Sequence, residues 1–431
     1  MNGLQRITIE RLVHGGKGLG RIDGQVVFVP DTIPGEVVEV RLGLQKKGYR
    51  EAILEKIVSP SPMRTAPQCR HFGACGGCQW QHISYEGQVR FKEEIFRETL
   101  TRIGRVKCDI LPVLSCPVPF GYRNRVRFQA RSGTIGFFSK GSHEIIGIES
   151  CLLAHPLVRL IHEELIGILS PAATRQLTGL EIAVSEEEGK GIATLLVEGQ
   201  FTNLAAIGSD GISNVSHIKG LCVRESTSFS GKTGVLLEGS LRYSCRLAGG
   251  RIVRYLLCPG VFSQVNPVQN EALIATVMKW ADVSRDDSVL DLFCGMGNIA
   301  LPLAPQVREV TGIERNTLSI KNALLNAAEN GIKNTVFLEE EVESGLDKLI
   351  KAGKKLDLVI MDPPRSGCAG IIDKISGLQP ARIIYISCDP ATLARDAAHL
   401  NRAGFIPVQS QPLDMFPQTY HIESVTLFRR K

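Results

Sequence analysis

Ser288-Val-Leu-Asp291-Leu-Phe-Cys-Gly295-Met-Gly297-Asn298 decides the fold of the last third of the chain. An apolar run ends in a glycine-rich turn, and a helical pattern follows, which is the opening unit of a doubly wound α/β domain. Further strand-like runs, near Glu309–Ile313, Thr335–Leu338, Leu356–Met361 and Arg382–Ser387, alternate with helical patterns, and two closing strands are expected near Phe405–Gln409 and Glu423–Phe428. In open sheets of this kind ligands sit outside the carboxyl ends of the strands, and the candidate site residues of this region all fall there.

Gly295 and Gly297 let the backbone approach a cofactor closely, and Glu314 follows Asp291 by 23 residues at the tip of the next strand, placed for ribose hydroxyls. A nicotinamide dehydrogenase would share this geometry, but Ala300 stands where the third glycine of G-x-G-x-x-G belongs. The same domain carries Cys388, in Ser387-Cys388-Asp389-Pro390 at the end of an apolar run. One site can therefore hold an S-adenosylmethionine-type cofactor and a thiol nucleophile, a combination suited to methyl transfer to an unreactive carbon. A helix beginning at Asp389-Pro390 would lower the thiol pKa, against the plain alternative of a buried strand-end cysteine. Asp362-Pro363-Pro364-Arg365 lacks the aromatic on which amino-group methyltransferases stack their base, which argues against N-methylation.

The chain has 431 residues, enough for two or three domains, and no apolar run approaches the roughly 20 residues of a membrane span. Its start lacks an apolar signal segment, so a cytoplasmic protein is expected. In that setting the 12 cysteines point to thiols, metal or catalysis rather than disulfides. A net charge of +6 does not by itself establish a nucleic-acid partner.

Residues 1–59 read as short strands, Ile7–Leu12, Val26–Pro30, Val37–Gly43 and Arg50–Val58, broken by Gly15-Gly16, Asp23-Gly24 and Pro34-Gly35, which implies a small β-barrel. Gly16-Lys17-Gly18-Leu19-Gly20 is not a phosphate loop, because strand follows where a helix should begin. Arg41, Lys46, Lys47, Tyr49 and Arg50 suit an RNA backbone or a solvated basic face equally. Cys69, Cys75 and Cys78 form a C-x5-C-x2-C run with glycines that can wrap one soft metal centre, which then needs a fourth ligand. A zinc knuckle completed by His71 or His82 competes, as do three unligated thiols, whereas a radical-generating cluster would show C-x3-C-x2-C. Tyr122-Arg-Asn-Arg125-Val-Arg127-Phe128, through Arg131, interleaves bases and aromatics at strand periodicity, a face for phosphates or ordinary surface arginines.

Val27-Phe-Val-Pro30 with Pro34-Gly35-Glu36 resembles the TRAM domain, a small RNA-binding barrel. The cysteine run resembles the iron-sulfur domain of the RNA 5-methyluridine methyltransferases. That resemblance implies a fourth cysteine after a downstream strand, which Ile145-Ile-Gly-Ile148-Glu-Ser-Cys151 supplies, and hence a [4Fe-4S] cluster on Cys69, Cys75, Cys78 and Cys151. It assigns cofactor contacts to Gln264, Asp291, Phe293, Asn298, Glu314, Glu341 and Asp362. Uracil C5 is too weak a nucleophile to take a methyl group directly, so covalent activation at C6 is needed. The resemblance gives this task to Cys388, and removal of the C5 proton to Glu423 of His421-Ile-Glu423.

The resulting architecture is a TRAM-like barrel over 1–59, a mixed β-rich iron-sulfur and RNA-binding domain over 60–250, and a class I methyltransferase domain over 251–431. The bacterial 23S ribosomal RNA branch looks closest, so the expected partner is 23S rRNA with its target base flipped out, and neither membrane nor DNA, the protein itself being expected as a monomer. An RNA cytosine-C5 methyltransferase and a non-catalytic RNA-binding assembly factor stand as the alternatives.

Overall fold

The computed structural model describes residues 4–198, 215–225 and 233–431. The first five strands, β1 (Gln5–Leu12), β2 (Gly18–Ile22), β3 (Gln25–Val29), β4 (Val37–Lys46) and β5 (Tyr49–Ser59), close into a barrel in the order β1-β2-β3-β5-β4. Alternate residues point inward, so Ile7, Ile9, Val27, Val29, Val38 and Val40 fill its interior. β2 has no counterpart in the sequence reading: its three buried residues, Gly18, Leu19 and Gly20, lie inside the glycine-rich stretch that masks their alternation. Glu36, from the motif Pro34-Gly35-Glu36, is fully buried and serves the fold. It accepts from the Ile33 and Ser61 N–H groups and pairs with both Nε and Nη2 of Arg64, fastening the barrel to the next segment.

A helix, α1 (Tyr85–Glu98), follows, and then the two-residue strand β6 (Asp109–Ile110). The middle of the chain forms a seven-stranded sheet from β7 (Arg125–Arg131), β8 (Thr134–Phe138), β9 (Ile145–Gly147), β10 (Leu177–Ser185), β11 (Lys190–Val197), β12 (Ile218–Glu225) and β13 (Thr233–Leu237). Its order is β13-β12-β11-β10-β7-β8-β9, and the helix Pro156–Ile168 buries Val158, Ile161 and Leu165 against it. Two strands, β14 (Leu241–Arg246) and β15 (Ile252–Leu257), pair as a hairpin whose turn contains residue 250.

The last sheet comprises β16 (Ser288–Leu292), β17 (Glu309–Glu314), β18 (Thr335–Glu339), β19 (Leu358–Met361), β20 (Arg382–Ser387), β21 (Phe405–Leu413) and β22 (Glu423–Arg430), with β6 added at one edge. The order is β18-β17-β16-β19-β20-β22-β21-β6, with β16 to β20 parallel and β22 antiparallel to β20. Strand order reverses between β16 and β19, the position where an open α/β sheet offers a crevice. Apolar clusters cover both faces. One of them joins Leu12 and Ile33 of the barrel, Trp80 and Ile83, and Phe91 and Ile95 of α1 to Leu290, Leu292, Tyr385, Ile422 and Phe428. The barrel and the cysteine-bearing segment are thus packed into the core of the α/β sheet.

Candidate active site

A cavity of about 1020 Å³ opens at the β16–β19 crevice. All seven residues proposed for cofactor contact, Gln264, Asp291, Phe293, Asn298, Glu314, Glu341 and Asp362, line it. After β16 the turn takes three left-handed residues in five, Phe293 (φ 62°), Gly295 (φ 55°) and Gly297 (φ 88°), which brings the backbone across the crevice. Gly312 on β17 admits no side chain, because a Cβ there would lie 2.7 Å from the Phe337 ring and 2.8 Å from Cys294 Sγ.

Asp291 is buried, and among the described residues its Oδ2 has no hydrogen-bond partner. Burial, then the charges of Asp362 and Glu314, push it up to about 8. A buried carboxylate oxygen left unpaired at a cavity wall is a place for a ligand donor. Glu314 is held by backbone: its Oε2 accepts from Gly295 N at 3.3 Å and its Oε1 from Asn316 N at 2.8 Å. Asn298 has its side-chain amide engaged in a reciprocal pair with Asn270, at 3.0 and 2.9 Å. Glu341 is on the rim, its side chain 68% exposed and 3.5 Å from Arg315. The opposite wall comes from the seven-stranded sheet, which the sequence did not associate with this cavity. Arg125 there donates to Glu181 at 2.7 Å and to Val261 O at 2.9 Å, and its guanidinium lies 5.2 Å from the exposed Phe262 ring.

Cys388 and Glu423 meet at the end of the sheet. Ser387, last in β20, is registered with Ser424 of β22, so the next positions, Cys388 and Glu423, flank the same strand end. Asp389 N-caps the helix Pro390–Arg402, its Oδ1 accepting from Thr392 N at 2.9 Å, and His14 of the barrel lies 3.4 Å from its Oδ2. The helix N-terminus therefore stands beside the thiol, as the sequence implied. Burial, then Glu423 and Asp362, push Cys388 up to about 12, with Arg365 opposing. Burial also raises Asp362, to about 7, and burial with Asp362 raises Glu423 well above the usual carboxylate range. The charge of Asp362 makes Glu423 harder to ionise. His421 is driven the other way, down to about 4, by burial and surrounding cations, so its ring is neutral at pH 7.

Cys69, Cys75, Cys78 and Cys151 are neighbours, and Cys75 forms a β-bridge with Ser139, just after β8. Burial raises Cys75, which also senses Cys151 and Cys69, and burial raises Cys78 to about 12, with Cys151 and Cys75 adding. Glycine N–H groups serve this segment: Gly77 N donates to Cys75 Sγ at 3.4 Å and Gly76 N to Phe138 O at 2.9 Å. Among the described residues, however, no group of three or more His, Cys, Asp or Glu side chains is drawn close enough to hold a metal ion. The thiols are neighbours without being a closed ligand set.

Residues 136–431 match the family described as tRNA (Uracil-5-)-methyltransferase, and residues 4–54 match the TRAM domain. The chain belongs to the RNA uracil-5-methyltransferase family. Among its relatives in that family, the 23S rRNA (uracil(1939)-C(5))-methyltransferase RlmD of Salmonella choleraesuis is 34% identical, over 98% of this chain and 96% of its own length. An uncharacterized RNA methyltransferase of Thermosynechococcus vestitus is 36% identical over 98% of this chain and 97% of its own. The Pyrococcus abyssi tRNA (uracil-54, C5)-methyltransferase, solved in complex with S-adenosyl-L-homocysteine, superposes with a TM-score of 0.72 at 25% identity, covering 99% of this chain and 100% of that one. No helix among the described residues is long and apolar enough to cross a membrane.

Proposed function

We propose that this protein is an S-adenosylmethionine-dependent 23S rRNA uracil-C5 methyltransferase that forms 5-methyluridine through a covalent adduct on Cys388. The observation that carries the reading is the shared location of Cys388, Glu423 and Asp362 beside the cavity lined by Asp291 and Glu314. The solved relative with bound S-adenosyl-L-homocysteine supports the cofactor class, and the Salmonella relative supports ribosomal RNA as substrate.

In this reading, the cofactor supplies an electrophilic methyl group. Asp291, with its unpaired Oδ2, and Glu314 bind and orient it, and Gln264, Phe293, Asn298, Glu341 and Asp362 complete its surroundings. Cys388, its proton given up to solvent, adds through Sγ to C6 of the uracil ring; C5 becomes enolate-like and takes the methyl group as the methyl–sulfonium bond breaks and S-adenosyl-L-homocysteine is released; and Glu423, in its carboxylate form, accepts the C5 proton so that the thiolate leaves. Arg365, whose charge opposes the rise at Cys388, is available to favour the thiolate.

The domain assignment is a barrel over 1–59, a central RNA-binding and cluster domain over 60–250 and the methyltransferase domain over 251–431. For the cluster, a donor set of four neighbouring thiols with an N–H directed at one sulfur fits a [4Fe-4S] centre on Cys69, Cys75, Cys78 and Cys151, and the thiols would close around iron when it binds.

The decisive experiment incubates protein and S-adenosylmethionine with 5-fluorouridine-substituted 23S rRNA and runs a denaturing gel beside Cys388→Ala. A cofactor-dependent covalent band that disappears in the variant is expected. Absence of the band, with RNA and cofactor binding demonstrated, would overturn the uracil adduct. Iron and sulfide analysis of anaerobically purified protein, with Cys151→Ala alongside, tests the cluster.

A further inference from the structure

Glu423 reaches the site from the loop 414–422, and this loop is fastened carbonyl by carbonyl to distant parts of the chain. Asn266 Nδ2 donates to Met415 O at 3.2 Å, Lys92 Nζ to Phe416 O at 3.0 Å and the Tyr122 hydroxyl to Pro417 O at 3.1 Å. The Gln79 and Trp80 N–H groups both donate to Gln418 O, at 3.1 and 3.0 Å.

Gln418 is where these ties converge. It is buried and left-handed (φ 69°), a conformation that a non-glycine residue keeps only when its surroundings enforce it. The enforcement is visible. Its N–H donates to Gln88 Oε1 at 2.8 Å and its own Oε1 accepts from Gln88 Nε2 at 2.9 Å, an amide pair between α1 and the loop. Gln88 Nε2 is further fixed by Trp80 O at 3.1 Å and Ile83 O at 2.9 Å. Gln79 and Trp80 immediately follow Cys78, so one residue connects the cysteine-bearing segment to the loop that ends at Glu423.

We propose that Gln418 is a positioning residue: held by Gln88 and by the segment after Cys78, it fixes the loop so that the Glu423 carboxyl faces the C5 proton of the adduct. The proposal rests on the reading of Glu423 as general base. Thiol addition and methyl transfer come before Glu423 acts. Glu423 then takes the C5 proton, the C5–H electrons form the C5–C6 double bond, and the C6–S bond breaks to return the Cys388 thiolate. A displaced Glu423 slows only this last step, so the methylated covalent protein–RNA species should accumulate.

The test uses the full-length, cluster-loaded protein with Gln418→Gly, which tolerates the left-handed backbone but removes the amide, and Gln88→Leu, which breaks the same pair and leaves the loop sequence intact. Single-turnover reactions with methyl-labelled S-adenosylmethionine and 5-tritiated uridine RNA read two quantities: denaturant-stable labelled adduct, and tritium release. Tritium release should fall about tenfold or more while adduct rises, with cofactor affinity and iron content unchanged. If either variant melts cooperatively and holds its iron but shows wild-type tritium release, or loses adduct and release in parallel, the positioning role is overturned. Should Gln418→Gly fail to fold, Gln88→Leu alone decides. If the wild-type protein forms no adduct with 5-fluorouridine RNA, the underlying reading falls and takes this one with it, an outcome distinct from unchanged release.

Discussion

Ser424 stands directly across from Ser387 in the antiparallel pair β20–β22, and its Oγ donates to the Ser387 carbonyl at 3.3 Å. That register brings Cys388 and Glu423 to one strand end although 34 residues lie between them in the chain. A slip by one residue would turn every side chain of β22 to the opposite face and carry Glu423 away from the thiol.

With its thiol at about 12, Cys388 should react poorly in the ligand-free protein. Iodoacetamide labelling, followed by peptide mass spectrometry, is expected to rise continuously from pH 7 to pH 10 without a plateau. A plateau near pH 7 would show that the helix N-terminus outweighs burial after all.

Glu423→Gln should lower turnover by about 10² to 10⁴, the range typical of a lost general base. Binding of S-adenosylmethionine, measured by calorimetry, should stay within a few-fold of wild type, because Glu423 is at the strand end and not in the wall of the cofactor cavity.

Asp291 gives the ligand-free protein a distinctive pH dependence. Its native pKa, about 8, lies above the ordinary value of 3.8, so between those limits the folded state binds more protons than the unfolded state. Stability therefore falls as pH rises through this window, and Asp291 contributes its full destabilisation above about pH 8. Thermal melts from pH 6 to pH 9 should show the decline, and Asp291→Asn should reduce it, leaving the part that the raised Asp362 and Glu423 contribute. A ligand whose donors or positive charge favour the carboxylate should bind more tightly as pH rises across the same interval.

Lys92 and Asp414 form a fully buried pair, Nζ to Oδ1 at 2.5 Å, bridging α1 to the start of the loop 414–422. Asp414→Asn leaves the ammonium without its counter-charge and is expected to cost about 3–5 kcal/mol in chemical denaturation. Replacing both residues with apolar ones of similar size should cost much less, since no charge is then left buried alone.

The alternation of strands and helices after residue 288 was legible because each strand buried on both faces is a continuous apolar run and each helix keeps its own period. The glycine turn, the cysteine spacing and Cys388 were equally legible, being short, local combinations of rare residue types. The two-residue strand β6 was not, since only its place beside β21 makes it a strand. Arg125 reads in sequence as one base among several; the fold pairs it with Glu181 and turns it toward the cavity. Gln88 and Gln418, 330 residues apart, carry no local signal at all.

The clearest division concerns Cys388. The sequence by itself determined that a cysteine ends a strand and that a helix begins just after it, because strand, cap and helix are all set by neighbours in the chain. Its acidity was decided only by tertiary structure. Burial, and then the charges of Glu423 and Asp362, brought in from two other strand ends, push the thiol up.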